Sequence, residues 1–375
     1  MKKLAVITFF FALIFAFKAC KKDPPEPPKD DPKDSFVYNP TPVTLDMPSN
    51  FPEMVIPQDN QLTEEGILLG RLLFYDPILS LDSTLSCAGC HNQSFNFTDS
   101  GNKFSTGVQG IEGTRTSMSL ANIGFNTHFF WDGRSPTLED QILKPVPDPI
   151  EMNLSWTDAV DRLMNHNYYP QLFREAFDET EITPELTAKA IAQFLRTFIS
   201  GNSKFDKVQR NEAFFTNAEL NGFDMFFSED ADCFHCHGNI LFTDNLFHNN
   251  ALQEASSLND FNDLGRGAVT GNPLDNGKFK TPTLRNTEVS GPFMHNGEFA
   301  TLMEVIEFYS SGLKNSPNVD PLMEFFFQGG VQLTQNEKND LHAFLLTLTD
   351  HEFLNNPDFK NPFQDPGFVW DDLTD

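Results

Sequence analysis

An all-α fold in two similar halves is what this sequence predicts, and three observations predict it. Apolar residues recur at helical spacing, few stretches alternate with period two, and a set of short motifs in the first half returns in the same order in the second. Residues 187–199 carry Ala188, Ile191, Phe194, Leu195 and Phe198 at three-to-four spacing, and residues 337–348 carry Leu341, Phe344, Leu345 and Leu348 likewise. Both predict helices with one apolar face. Residues 68–74 and 223–227 read as further apolar helical stretches. Long loops rich in Gly, Asn and Asp, at 99–113 and 259–278, separate them, and Gly201-Asn202-Ser203 punctuates the chain between the halves.

The repeated motifs carry the chemistry. Cys87-Ala88-Gly89-Cys90-His91 returns as Cys233-Phe234-His235-Cys236-His237, and each is followed by Phe-Thr-Asp, at Phe97-Thr98-Asp99 and Phe242-Thr243-Asp244. Ser117-Met118-Ser119-Leu120-Ala121-Asn122 answers Thr281-Pro282-Thr283-Leu284-Arg285-Asn286. Trp131-Asp132-Gly133 with Thr137-Leu138 and Ile142 answers His295-Asn296-Gly297 with Thr301-Leu302 and Ile306. In a Cys-x-x-Cys-His pentad two thiols can form thioethers with one haem, and the histidine that follows can ligate its iron. One pentad alone is also compatible with half a zinc site or a redox pair. Two, far apart and each with its histidine, point to two covalent c-type haems.

The five cysteines leave only Cys20 beyond the pentads. It follows Lys2, Lys3, an apolar run over residues 4–17 and Ala19, and it precedes the tract Asp23-Pro24-Pro25-Glu26-Pro27-Pro28. The run is short for a membrane span and has the shape of a secretory signal. Residues 1–19 are therefore expected to be a lipoprotein-type signal peptide, with Cys20 the lipidated anchor and 20–45 a Pro/Asp/Lys-rich tether. Phe17 and Lys18 depart from the usual pattern before such a cysteine, and an ordinary secretory signal is the other reading. Export agrees with covalent haem. The expected domains are 46–205 and 206–352, with 353–375 a C-terminal tail. A formal net charge of −27 excludes nucleic acid as a partner and suits a basic protein. Forty phenylalanines against three tryptophans and five tyrosines suit aromatic packing around large apolar macrocycles.

The ordered motifs resemble the bacterial dihaem cytochrome c peroxidases together with MauG, the dihaem enzyme of methylamine utilisation. The resemblance runs through Phe74-Tyr75-Asp76-Pro77, Gly113-Thr114-Arg115, Phe130-Trp131-Asp132-Gly133-Arg134, Pro149-Ile150-Glu151-Met152-Asn153 and Gly201-Asn202-Ser203-Lys204-Phe205-Asp206, besides both pentads. It implies two tandem cytochrome c-like domains, all-α with little β structure: a peroxidatic haem first, an electron-transfer haem second, and one calcium ion between them. It also implies hydrogen peroxide as substrate and a small electron donor of the cytochrome c or cupredoxin type. The setting would be the periplasmic side of a bacterial envelope, and a homodimer is compatible with it.

Residue by residue, the resemblance puts the second haem's far-side ligand at Tyr309, on a helix expected over 300–310; Met294 is the alternative, with Tyr309 then a core residue. In the first half Pro145, Pro147 and Pro149 break the corresponding helix, so no such ligand is offered. The family's removable histidine would fall near Val108, where Thr106-Gly107-Val108-Gln109-Gly110 holds none. The first haem is thus expected to keep an open face. Glu151 matches the family's acid–base and Gln141 a second polar residue beside it, while Trp131 matches the tryptophan between the haems. His295, in the duplicated position, is expected to be structural. Calcium ligands would be Thr116 with the carbonyls of Ser290 and Pro292. The activity expected is peroxide reduction; an oxidase that holds both oxidising equivalents and draws electrons from a protein, or a dihaem electron carrier without catalysis, are the alternatives.

Overall fold

Thr63 and Thr183 start the two long helices of the first half: each hydroxyl accepts a backbone N–H of the first turn, capping Glu64–Tyr75 and Pro184–Arg196. In this computed structural model, which describes Met1, residues 36–99 and 101–365, and Phe368, the second half repeats the arrangement. Thr216 and Thr334 cap Asn217–Phe226 and Gln335–Leu346, and Glu219 and Glu337 complete capping boxes. The expected helices are present, displaced by a few residues. Pro184–Arg196 starts before residue 187 because Thr183 and Pro184, outside the apolar pattern, set its beginning. Apart from Met1, the expected signal (1–19), the lipidation site Cys20 and most of the tether, to residue 35, lie outside the described residues. Among the described residues no helix is long and apolar enough to cross a membrane.

Each half is built on one close helix pair. Gly70 lies against Pro184–Arg196, where any Cβ would collide with the Ala190 carbonyl oxygen; Gly222 meets the Asp340 carbonyl of Gln335–Leu346 in the same way. A phenylalanine cluster sits beside each pair. Phe74, Phe97, Phe194 and Phe198 fill the first core, with Phe97 and Phe198 stacked at 4.1 Å between centroids. Phe205, Phe226, Phe242 and Phe344 fill the second. These rings account for part of the unusual phenylalanine content. Strand structure is limited to the antiparallel pair Phe247–His248 and Phe279–Lys280, among the described residues.

The halves are tied together rather than separated by a linker. The described residues from Tyr38 onward form one compact unit. The Asp350 carboxylate accepts the N–H groups of Gly201 and Asn202, at 3.0 and 2.9 Å. Asn122 and Asn286, which end the repeated motifs, both take left-handed φ, +57° and +58°. Asn122 exchanges bonds with Ser200 after one long helix, and Asn286 accepts from Asp350 after the other. Asn286 also donates to Asn96 and Ser200, in the opposite half. Part of the segment expected to be a tail is core: Phe353, Leu354 and Phe359 are buried in the first cluster.

Candidate active site

Each pentad folds as a single helical turn, Cys87–Cys90 and Phe234–His237. The His91 N–H donates to the Cys87 carbonyl at 3.0 Å, and His237 to Cys233 at 3.1 Å. One turn therefore brings histidine above the first cysteine. In both halves the histidine Nδ1 lies 2.7 Å from a phenylalanine carbonyl, Phe97 for His91 and Phe242 for His237. Those phenylalanines have φ of +55° and +53°, a conformation bulky residues avoid, and it aims their carbonyls at the rings. With Nδ1 so engaged, Nε2 is left as the metal-binding nitrogen. Burial lowers the affinity of both imidazoles for a proton, against the pull of those carbonyls, and keeps them in the ligating neutral form. The four cysteines form no disulfide. Burial pushes Cys87 and Cys233 up to about 12, so these are protonated thiols rather than a thiolate cage, and Cys90, Cys233 and Cys236 line cavities. Sulfur and a preset imidazole beside a cavity, twice over, fit two covalently held haems.

The two cavities differ. The first pentad opens on a space of about 1140 Å³, lined by Cys90, His91, Trp131, Arg134, Gln141 and Glu151. The sequence-predicted acid–base group, its polar neighbour and the tryptophan thus face one chamber. Glu151 is half-buried. Burial raises its carboxyl above the ordinary glutamate range, Asp148 adds to this, and Arg134 opposes it. Its carbonyl accepts from Val108 N–H at 2.8 Å, and Gly107 fits only because it lacks a Cβ that would strike the Ile150 carbonyl. The Val108 loop is thereby held on the Glu151 turn, with Gln109 exposed. The helix Leu138–Ile142 ends at Leu143, ahead of the prolines. Besides His91, the histidine in this lining is His295, which stacks on Phe279 at 3.5 Å; burial lowers it to about 4.

The second cavity is about 250 Å³, lined by Cys233, Cys236, His237 and both candidate ligands, Tyr309 and Met294. Tyr309 projects from Leu302–Ser311, capped by Thr301 with Glu304. Its hydroxyl accepts from Asn250 Nδ2 at 2.9 Å, and the same amide lies 3.8 Å from Met294 Sδ. Burial raises the phenol above its ordinary value while the Asn250 bond lowers it. Thr116, Ser290 and Pro292 line this cavity too. The Thr116 hydroxyl donates to the Met294 carbonyl at 2.9 Å, and Ser290 donates to the Asn286 carbonyl at 2.8 Å. Trp131 lines both cavities, as do Thr116, Ser117, Met118, Lys280 and His295. The indole N–H holds the Thr116 carbonyl at 2.9 Å.

Residues 64–213 match the family described as di-haem cytochrome c peroxidase. The methylamine utilization protein MauG of Methylorubrum extorquens is 35% identical over 295 residues, 78% of this chain and 80% of that one. This chain belongs to the dihaem cytochrome c peroxidase and MauG family. Cytochrome c peroxidase Ccp of Escherichia coli is 33% identical over 303 residues, covering 80% of this chain and 61% of that protein. A solved MauG-like protein associated with microbial copper homeostasis superposes with a TM-score of 0.79 at 35% identity, over 86% of this chain and 100% of that one. Membership makes the chain an oxidoreductase with c-type haem. Relatives of both kinds stand at similar identity, so the family does not separate peroxidase from MauG.

Sequence reasoning missed several residues of this dihaem site. Asn250 has no motif and meets Tyr309 only through the fold. His248 has its Nδ1 2.7 Å from Asp320 and Nε2 2.8 Å from Asp244. Burial works against its protonation, and Asp244, the Cys236 sulfur and Asp320 together outweigh it, raising the ring well above the ordinary histidine range. Arg115 joins Asp132 to Asp263, at 2.6 and 2.8 Å. A signal for this last cluster existed, since Asp132 stands where the repeat has Asn296.

Proposed function

We propose that the protein is a dihaem peroxidase of two cytochrome c-like halves that reduces hydrogen peroxide to water at the Cys87/Cys90/His91 site. Electrons would come from a small redox protein through the Cys233/Cys236/His237 site, past Trp131. The observation that carries this reading is the asymmetry of the two cavities. Glu151, Gln141 and Arg134 face the large chamber of the first pentad, whereas Tyr309 occupies the confined one of the second. Haem held by Cys87, Cys90 and His91 would supply the redox chemistry that cleaves the peroxide bond. Glu151 takes the proton from one peroxide oxygen and returns it to the other, and its raised pKa suits both transfers at neutral pH. Arg134 places positive charge beside the departing oxygen. Tyr309, oriented by Asn250, would be the residue that holds the second iron; phenolate is a harder donor than thioether and would lower that haem's potential. Calcium on Thr116, Ser290 and Pro292 would stiffen the wall between the sites. The setting is the periplasmic side of the envelope, with Cys20 as lipid anchor.

Tyr309 also favours a second reading, a MauG-like oxidase that stores both oxidising equivalents and withdraws electrons from a protein substrate. Peroxide added to the fully ferric protein separates the readings. Rapid turnover with reduced cytochrome c supports the peroxidase. A long-lived oxidised species without turnover supports the oxidase, and no reaction leaves only an electron carrier.

A further inference from the structure

Lys280 is buried, at 2% exposure, in the strand Phe279–Lys280 on the wall that the two cavities share. Its N–H donates to the Trp131 carbonyl at 2.8 Å, which fixes it beside the tryptophan. Among the described residues its ammonium reaches only neutral oxygens, Asn245 Oδ1 at 3.2 Å and the Thr281 carbonyl at 3.3 Å. The principal buried guanidinium groups are matched by carboxylates: Arg285 by Asp206, Arg196 by Glu139, Arg115 by Asp132 and Asp263. Among the described residues no carboxylate stands within ion-pair distance of Lys280. Burial brings its ammonium down to about 8, against the more distant pull of Asp244. A desolvated cation without a counter-charge is costly, and such groups are found paired. What fills the cavities could supply the counter-charge, since each haem carries two propionate carboxylates.

We propose that Lys280 is the binding residue for a haem propionate at the junction of the two cavities, an ion pair that holds one haem's reduction potential up. This rests on the dihaem reading. Loss of the ammonium would leave that carboxylate uncompensated beside the iron and disfavour reduction. The test uses the full-length holoprotein with Lys280→Met, Lys280→Gln and Lys280→Arg, haem counting by the pyridine haemochrome method, and spectroelectrochemical titration. Both neutral variants should retain two haems. One potential should fall enough to change its oxidised-to-reduced ratio at least tenfold, about 59 mV for one electron. Lys280→Arg should hold it. Two haems with unmoved potentials in either neutral variant overturn the Lys280 assignment and leave the dihaem reading standing; fewer than two haems in the unaltered protein overturn both. If neither neutral variant accumulates, Lys280→Arg carries the test. Its propionate-bending Raman band should shift as the ion-pair geometry changes, and an unmoved band overturns the assignment.

Discussion

Replacing Glu151 by Gln removes one ionisable proton and little else. The backbone there is held independently of the carboxylate: the Glu151 N–H donates to the Asp148 carbonyl at 3.0 Å, and its own carbonyl accepts from Val108 at 2.8 Å. The variant should therefore fold with the chamber intact. A positioned acid–base group contributes about 10²-fold or more to rate, which is about 2.7 kcal/mol of barrier at 1.36 kcal/mol per tenfold. The peroxide reaction, followed by stopped-flow absorbance, should slow by that factor. The pH profile adds a second readout. Burial first, and Asp148 after it, raise the carboxyl, and the carboxylate is the proton-accepting form. The rate should fall as pH drops through that raised pKa, on a limb above the ordinary glutamate value of about 4.3. In Glu151→Gln the limb should vanish. Full activity, or a slowed reaction that keeps the limb, would refute the assignment.

Tyr309→Phe should change the spectrum of one low-spin haem, and an unchanged spectrum would return the ligand role to Met294. Arg285→Met should destabilise the fold by about 3–5 kcal/mol in denaturant titrations, because it strands Asp206, whose carboxylate meets the guanidinium at 2.8 Å with both side chains buried. Burial would raise Asp206, but Arg285 and Ser203 outweigh it and depress its pKa. The stability it contributes is thus present above the unfolded pKa near 3.9 and lost as pH falls toward the lower folded value, a loss smaller in the variant, where only Ser203 still depresses the carboxyl. Gly70→Ala and Gly222→Ala should each cost about 1–3 kcal/mol from overpacking at the equivalent helix contacts, and a neutral result at either would argue against the duplicated packing.

The pentads, their histidines and the motif repeats were legible because each is a local pattern. Glu151, Gln141 and Trp131 stood out only through the family resemblance, which expects the first two at the first haem's pocket and the tryptophan between the haems; in the fold Glu151 and Gln141 line the first chamber and Trp131 lines both. Helix limits were less legible. Thr183, Pro184 and Thr334 set them, and caps fall outside the apolar periodicity that reveals a helix. The tie across Gly201-Asn202-Ser203 was hidden, since the acceptor is Asp350, far along the chain. For the same reason Phe353 and Phe359 read as tail although they complete the first core. Asn250 and Lys280 carry no motif; only tertiary contact gives the first its phenol and the second its place between two cavities.

Electron paramagnetic resonance of the fully ferric protein bears on the account most directly. An open iron above Cys87, Cys90 and His91 and a capped one above Cys233, Cys236 and His237 predict one high-spin and one low-spin signal of equal weight. Two low-spin signals, both irons saturated, would contradict peroxide chemistry at the first pentad and leave electron relay alone.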